Sequence, residues 1–124
     1  MIPLALLTLA ACGDKDTVDS SPPTFTEVDT MLVQSCGFNS CHGTGTGGLT
    51  LDGDGDYDRL VNAASTGDPS RTLIVPGDPD NSYLLWKMLG LSAAAGEPMP
   101  PPSGGLDTEA AMVQAWIEAG AAND

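Results

Sequence analysis

Two cysteines and a histidine lie close together in the stretch VQSCGFNSCHGTG. Four residues separate Cys36 from Cys41, and His42 follows Cys41 directly. Two thiols followed by a histidine are the groups that hold c-type haem in the motif C-x-x-C-H, because the cysteines form thioether bonds and the histidine binds the iron. The spacing here is wider, and Gly37 and Asn39 are residues that tolerate a turn within the longer loop. The cluster is therefore a candidate haem attachment site.

Two other chemistries fit the same three residues. A disulfide between Cys36 and Cys41 would close a very small loop and add modest stability, leaving His42 without a cofactor to bind. A zinc site needs four ligands, and the cluster supplies three, so an acidic residue would have to complete it. The residues alone leave haem, disulfide and metal as alternatives.

A haem that carries electrons needs a second axial ligand, and methionine paired with histidine raises the reduction potential. Met99 lies between prolines in EPMPPP, outside any helical pattern, and proline holds the backbone nearly rigid there. Three other methionines lie at helical core spacings, which favours packing roles for Met31, Met88 and Met112. Met99 is therefore the candidate distal ligand, with gap filling from a loop as its alternative role.

The amino terminus has the pattern of an exported lipoprotein. Residues 2–11 are an apolar run too short to span a bilayer, which is typical of a signal peptide. The segment LAAC resembles the lipobox of bacterial lipoproteins, which predicts a signal peptide at 1–11 and a lipidated Cys12. Residues 12–23 are then a flexible tether, and 24–124 form the domain. In the bacterial envelope, whether periplasm or outer surface, disulfides persist and haem is attached covalently.

The charge balance limits the partners that the chain can bind. Four Lys and Arg residues face seventeen Asp and Glu residues, for a formal net charge of -13. This charge repels phosphate backbones, so nucleic acid is not expected as a partner. It suits a partner with a basic surface, although keeping the protein dispersed is the favoured role of the charge. His42 is the only histidine, and no catalytic dyad is visible, so the sequence does not predict an enzyme.

The acidic stretch DGDGDYD resembles a calcium loop only superficially. Counted from Asp52, an EF-hand needs glycine at position six and glutamate at position twelve. Those positions hold Tyr57 and Ala63. We therefore interpret the stretch as a solvated turn.

Hydrophobic periodicity predicts helices in the first half of the domain. Phe25, Val28, Met31 and Leu32 recur at helical spacing, which predicts a helix from about Thr26 to Gln34 with Thr24 or Thr26 as its N-cap. A short helix is predicted from Asp56 to Ala63, after an extended GLTL segment.

Further turns and helices are predicted in the second half. Pro76 and Gly77 suit the central positions of a type II turn. Asp80, Asn81 or Ser82 is expected to cap a helix that ends at Gly90. A last helix, capped by Asp107 or Thr108, carries a face formed by Met112, Val113, Trp116 and Ile117. The expected fold is all-α with long loops.

Taken in order along the chain, these blocks resemble the planctomycete-type cytochrome c domains. The blocks are CGFNSCH, GGLTL, VPGDPDNSYLL, MPPP, Leu106 and WIEAGA, and together they span Val28 to Ala121. The resemblance implies a small helical cytochrome c fold with one covalent haem c. It also implies that Cys36 and Cys41 attach the haem and that His42 and Met99 are its axial ligands.

The expected function is therefore an envelope-anchored monohaem c-type cytochrome that carries single electrons to a transient partner and meets the membrane only through its lipid. The alternative is a haem-free, disulfide-closed lipoprotein module that binds another envelope protein. Tyr83, Trp86 and Trp116 are expected either to line a haem pocket or to pack in the core. Arg59 and Arg71 suit haem propionates, although a surface role is favoured for both.

Overall fold

The computed structural model describes residues 19–124. The predicted signal peptide, Cys12 and the first part of the tether lie outside the described residues. Within the described part the elements are α1 (Phe25–Cys36), a 3-10 helix (Thr46–Gly48), α2 (Asp56–Leu60), a second 3-10 helix (Pro79–Asn81), α3 (Tyr83–Leu89) and α4 (Asp107–Glu118). Residues 19–124 contain no strand, only isolated bridges that join Val61 to Ile74 and Ala64 to Thr72. The prediction of a helical chain with long loops is confirmed, and none of these helices has the length and apolar character needed to cross a bilayer.

Helix α1 begins with a capping box. The Thr24 hydroxyl accepts a hydrogen bond from the Glu27 amide at 3.2 Å, and the Thr24 amide donates to the Glu27 carboxylate at 2.8 Å. Of the two predicted caps, Thr24 is therefore the correct one. The helix also continues past the predicted end at Gln34, so that Cys36 forms its last turn. This extension places the first thiol on a regular element rather than in a loop.

The core forms where α4 packs against both α1 and α3. Val113, Trp116 and Ile117 are buried on the predicted face of α4. The Trp116 ring lies 5.5 Å from the Phe25 ring, between centroids, and its indole N–H donates to the Ala122 carbonyl at 3.0 Å. Trp116 is therefore a core residue with a satisfied polar end.

A predicted turn and a predicted helix end are confirmed, and one predicted helix cap is wrong. Gly77 has φ 75°, with Asp78 N–H bonded to the Val75 carbonyl at 3.0 Å, and Gly90 ends α3 at φ 66°. Helix α4, by contrast, has Leu106 at its N-cap, and Asp107 lies inside its first turn. Asp107 still suits that place, because a carboxylate in the first turn interacts favourably with the helix dipole.

The guanidinium group of Arg59 binds the acidic stretch between the first 3-10 helix and α2. Arg59 donates to the Asp52 carboxylate at 2.9 Å, to the Thr50 carbonyl at 3.2 Å and to the buried Asp56 carboxylate. Asp56 also accepts from the Gly53 amide at 2.9 Å. A cation of the protein itself therefore organises this loop, and α2 ends at Leu60 instead of the predicted residue 63.

The carboxyl group of Asp29, which lies beside this loop, has a raised pKa. Burial and the neighbouring Asp56 raise the pKa of Asp29 to about 6. The folded protein thus holds this proton more tightly than the unfolded chain, so the contribution to stability is present at low pH and is lost as the pH rises through 6. Asp29→Asn is expected to stabilise the protein by about 1 kcal/mol at pH 8, a value reduced for the partial exposure of the group.

The measurement is the melting temperature of both proteins between pH 4 and 8. The Asp29→Asn protein should lose most of the decline between about pH 4 and 6, the interval between the ordinary and the raised pKa of this group. Asp58→Asn, at an exposed position of α2, is the matched control and should keep that decline. Parallel curves for the Asp29→Asn protein and the natural protein would contradict the prediction.

Candidate functional site

A cavity of about 540 Å³ opens among α1, α3 and the loops between the helices. Its apolar wall consists of leucines with Met88, namely Leu32, Leu49, Leu51, Leu73, Leu84, Met88 and Leu106. The predicted site residues Cys36, Cys41, His42 and Met99 all line this same cavity. Groups that are far apart in the chain are therefore brought to one site.

The backbone between the two cysteines forms a closed bulge. The His42 amide donates to the Cys36 carbonyl at 3.0 Å. In a helical C-x-x-C-H turn the histidine amide would donate to the first cysteine in the same way, four residues back. Here the bond spans six residues, so the additional residues loop out while Cys36 and His42 keep their backbone contact. The wider spacing thus keeps a backbone contact between the first cysteine and the histidine, as the shorter motif does.

One carbonyl accepts two hydrogen bonds within the bulge, and two glycines allow its backbone segments to approach closely. The Phe38 carbonyl accepts hydrogen bonds from Cys41 N–H at 2.8 Å and Gly43 N–H at 2.9 Å. A Cβ on Gly43 would lie 2.4 Å from the Gly37 carbonyl oxygen, and one on Gly37 would lie 2.6 Å from the Leu51 oxygen. These glycines allow a close backbone approach. Gly37 was predicted to tolerate a turn in the loop, but its φ of -80° is open to any residue.

The ring of His42 is fixed by a backbone carbonyl. Its Nδ1 lies 3.0 Å from the Leu49 oxygen, and a carbonyl can only accept a hydrogen bond. Nδ1 must therefore carry the proton, which leaves the Nε2 lone pair available for a metal. Hydrogen bonding of the second ring nitrogen is the usual way in which proteins orient a histidine ligand.

Cys36 and Cys41 are free thiols with different surroundings. Burial raises the pKa of the half-buried Cys36 thiol, and the negative charges of a Cys41 thiolate and of Glu109 add to this effect. Cys41 lines the same cavity and is exposed. Within residues 19–124, no three His, Cys, Asp or Glu side chains form a cluster able to hold a bare metal ion.

Met99 reaches the cavity from the proline-rich loop. It is half-buried, and its amide donates to the Lys87 carbonyl at 2.8 Å. Met88 is buried and also lines the cavity, whereas Met31 and Met112 pack against the core. Two methionine sulfurs are therefore candidates for the second axial position.

In the part of the chain that the structure describes, no Asp or Glu side chain lines the cavity, although the whole chain has seventeen acidic residues. The charged lining residues are Arg59 and Lys87. Of the three aromatic candidates only Tyr83 lines the cavity; Trp86 and Trp116 do not. The cavity wall formed by residues 19–124 thus carries two cations and no carboxylate.

Residues 39–103 match the family model described as planctomycete cytochrome C. This range covers more than half of the chain and contains Cys41, His42 and Met99, and it begins just after Cys36. No curated protein and no solved structure was found to match the chain.

Proposed function

We propose that this chain, which belongs to the planctomycete cytochrome C family as its sequence motifs predicted, is a monohaem c-type cytochrome that carries single electrons at the bacterial cell envelope. The observation that carries the proposal is the presence of Cys36, Cys41, His42 and Met99 on the wall of one cavity. We also propose that the helical domain has the cytochrome c fold, with haem c in this cavity.

The cavity suits such a cofactor in volume and chemistry. About 540 Å³ lies within the roughly 300–1,000 Å³ typical of small-molecule and cofactor sites. The leucine walls would exclude water from the ring, and a wall without carboxylates from residues 19–124 favours a ligand that itself carries two. Imidazole nitrogen and thioether sulfur are established axial donors for haem iron.

Each residue has a separate task in holding the group. Cys36 and Cys41 would attach the ring edge by thioether bonds, and His42 would present Nε2 as the proximal ligand. The Leu49 carbonyl keeps the imidazole in the required tautomer. Bound haem supplies a one-electron couple between ferric and ferrous iron, at a potential that Met99 would raise. We propose electron transfer rather than catalysis, because the single histidine is then used as a ligand.

The uncharged stretch that contributes Cys36, Cys41 and His42 to the cavity suits contact with a transient partner. Residues 30–51 contain no Asp, Glu, Lys or Arg, and Phe38 in this stretch is 57% exposed. The remaining surface is acidic, so we propose a redox partner whose basic surface is attracted over a distance and whose apolar contact forms at the bulge. We propose no nucleic acid partner, and contact with the membrane only through a lipid on Cys12.

Haem staining after denaturation tests the proposed function. The protein is expressed with export and haem-maturation machinery, and a denaturing gel is stained for haem. We expect the natural chain and both single variants, Cys36→Ala and Cys41→Ala, to retain covalent haem, because one thioether bond suffices to keep it. The double variant should be colourless, and intact mass should show one haem per chain.

The disulfide alternative gives a different result. A colourless natural chain whose mass shows Cys36 and Cys41 oxidised to each other would contradict the cytochrome proposal and support the haem-free interaction module. A natural chain that stains while one single variant does not would assign attachment to a single cysteine.

A further inference from the structure

We propose that Lys87 is the positioning residue for Met99, because it fixes the loop that presents this sulfur to the cavity. The inference rests on the proposed function, since the position of Met99 matters electronically only if its sulfur binds iron. Neither the sequence motifs nor the family match assigns Lys87 any role.

Lys87 contacts the loop at three places. Its ammonium donates to the Ala95 carbonyl at 2.6 Å and to the Glu97 carbonyl, and its own carbonyl accepts from the Met99 amide at 2.8 Å. The contacts thus fall four residues before Met99, two residues before it and at Met99 itself. One residue of α3 holds both the approach to the ligand and the ligand backbone.

The loop needs an external anchor. It consists of small and flexible residues, SAAAG, followed by Glu97 and Pro98, and most of it is exposed. The buried Tyr83 provides a second anchor, because its hydroxyl accepts from the Ala95 amide at 2.8 Å. Both anchors lie on α3, whose register is fixed by core packing. Contacts with the rigid helix α3 therefore determine the position of Met99.

The charge of Lys87 is used for hydrogen bonding rather than for an ion pair. Among residues 19–124 the ion pairs involve Arg59 and Arg71, and none includes Lys87. An ammonium makes stronger hydrogen bonds to carbonyls than a neutral donor does. Because Lys87 also lines the cavity, this cation lies on the same wall as Met99.

Competition by imidazole measures how firmly Met99 is held. Lys87→Met keeps an unbranched apolar side chain and removes the ammonium. We expect the oxidised haem protein with this change to bind imidazole about tenfold more tightly, which corresponds to ~1.4 kcal/mol. The near-infrared sulfur-to-iron band should weaken in parallel. Lys87→Arg, which retains N–H donors on a long stem, should bind imidazole less tightly than Lys87→Met does.

Two further variants keep the test decisive. Arg71→Met removes an equal charge from a residue that stacks on Trp86, 4.6 Å from its ring centroid, and should leave imidazole affinity unchanged. Tyr83→Phe removes the second anchor and should raise the affinity in the same direction, which covers the case of a Lys87→Met protein that fails to fold.

A measurement on the haem-free protein separates this inference from the proposed function. Amide hydrogen exchange at Ala95 and Met99, whose amides are hydrogen-bonded to α3, should be faster in Lys87→Met than in the natural chain, with no change in α4. Equal exchange rates, together with equal imidazole affinities for Lys87→Met and Arg71→Met, would overturn the role of Lys87. A natural chain that acquires no haem would contradict the proposed function, while the exchange experiment would still test the anchor.

Discussion

Replacing Met99 with alanine is expected to abolish the near-infrared sulfur-to-iron absorption band of the oxidised protein. The reduction potential should also fall, on the order of 0.1–0.3 V within the roughly 0.8 V range that axial ligands span. The physical reason is that methionine opposite histidine favours the ferrous state, and alanine leaves that position to water or to a stronger donor. Optical spectroscopy and a potentiometric titration measure both effects.

Met88 is the appropriate control because its side chain is buried and lines the same cavity. Met88→Leu conserves volume, so it should cost less than about 1.5 kcal/mol of stability and leave the band intact. The opposite outcome, a band that survives Met99→Ala and disappears in Met88→Leu, would make Met88 the ligand. Loss of the band in both proteins would point to the packing of α3 rather than to one sulfur.

Helices were predictable wherever a hydrophobic face and a cap coincide. In α1, apolar spacing identifies the element, and the capping box of Thr24 with Glu27 decides between the two caps that the sequence offered. In α3, Gly90 identifies the end. Ser82, one of the three predicted candidates, is the N-cap of α3, but its hydroxyl bonds the Val75 amide and the Asp78 carbonyl instead of a helix amide. The predicted cap of α4 was wrong, since Leu106 holds that position. A residue able to cap is drawn into a tertiary contact when one is available.

The extent of α1 could not be predicted from periodicity alone. The apolar pattern ends before Gln34, yet the helix continues to Cys36 and ends at Gly37, whose backbone closely approaches the Leu51 carbonyl. That approach is a tertiary property with no signature in the local sequence. It decides whether Cys36 belongs to a helix or a loop, and hence how the wide cysteine spacing is accommodated.

Residue types identified the chemical groups of the site, but not the residues that support them. Cys36, Cys41 and His42 stood out because thiol and imidazole groups are rare in this chain, and Met99 stood out because it lies between prolines. The Leu49 carbonyl that fixes His42 and the ammonium that holds the Met99 loop gave no signal, since any backbone carbonyl and any lysine look alike in a sequence. Supporting contacts of this kind depend on the tertiary fold.

The structure shows where the acidic residues lie relative to the cavity, which the composition alone does not. The sequence predicts repulsion of nucleic acid and attraction of a basic partner, and both remain predictions. The structure adds that the carboxylates of residues 19–124 stay off the cavity wall, and that Arg59 is paired with Asp52 and Asp56. Arg59 is thus already committed to the acidic loop, which argues against its availability as a counterion for haem propionates.

Gly43→Ala is expected to have the largest effect on stability. The new methyl group would lie 2.4 Å from the Gly37 carbonyl oxygen and 3.0 Å from the Phe38 carbonyl carbon and oxygen. All of these atoms belong to the backbone, so no side-chain rotation can relieve the overlap and the bulge must open. We expect a loss of about 2–3 kcal/mol, or a melting temperature roughly 10–20 °C lower for a domain of this size.

The same change should impair haem attachment, because an open bulge breaks the hydrogen bond from the His42 amide to the Cys36 carbonyl. Circular dichroism of the haem-free protein and haem content per chain are the two measurements. Gly67→Ala is the matched control, since Gly67 also lines the cavity but its added Cβ would meet nothing nearer than the Ser65 hydroxyl at 3.7 Å. Its stability should change by less than about 1 kcal/mol. Equal melting temperatures for the two alanine variants would show that the bulge is looser than its contacts indicate, and attachment through both cysteines would then need another explanation.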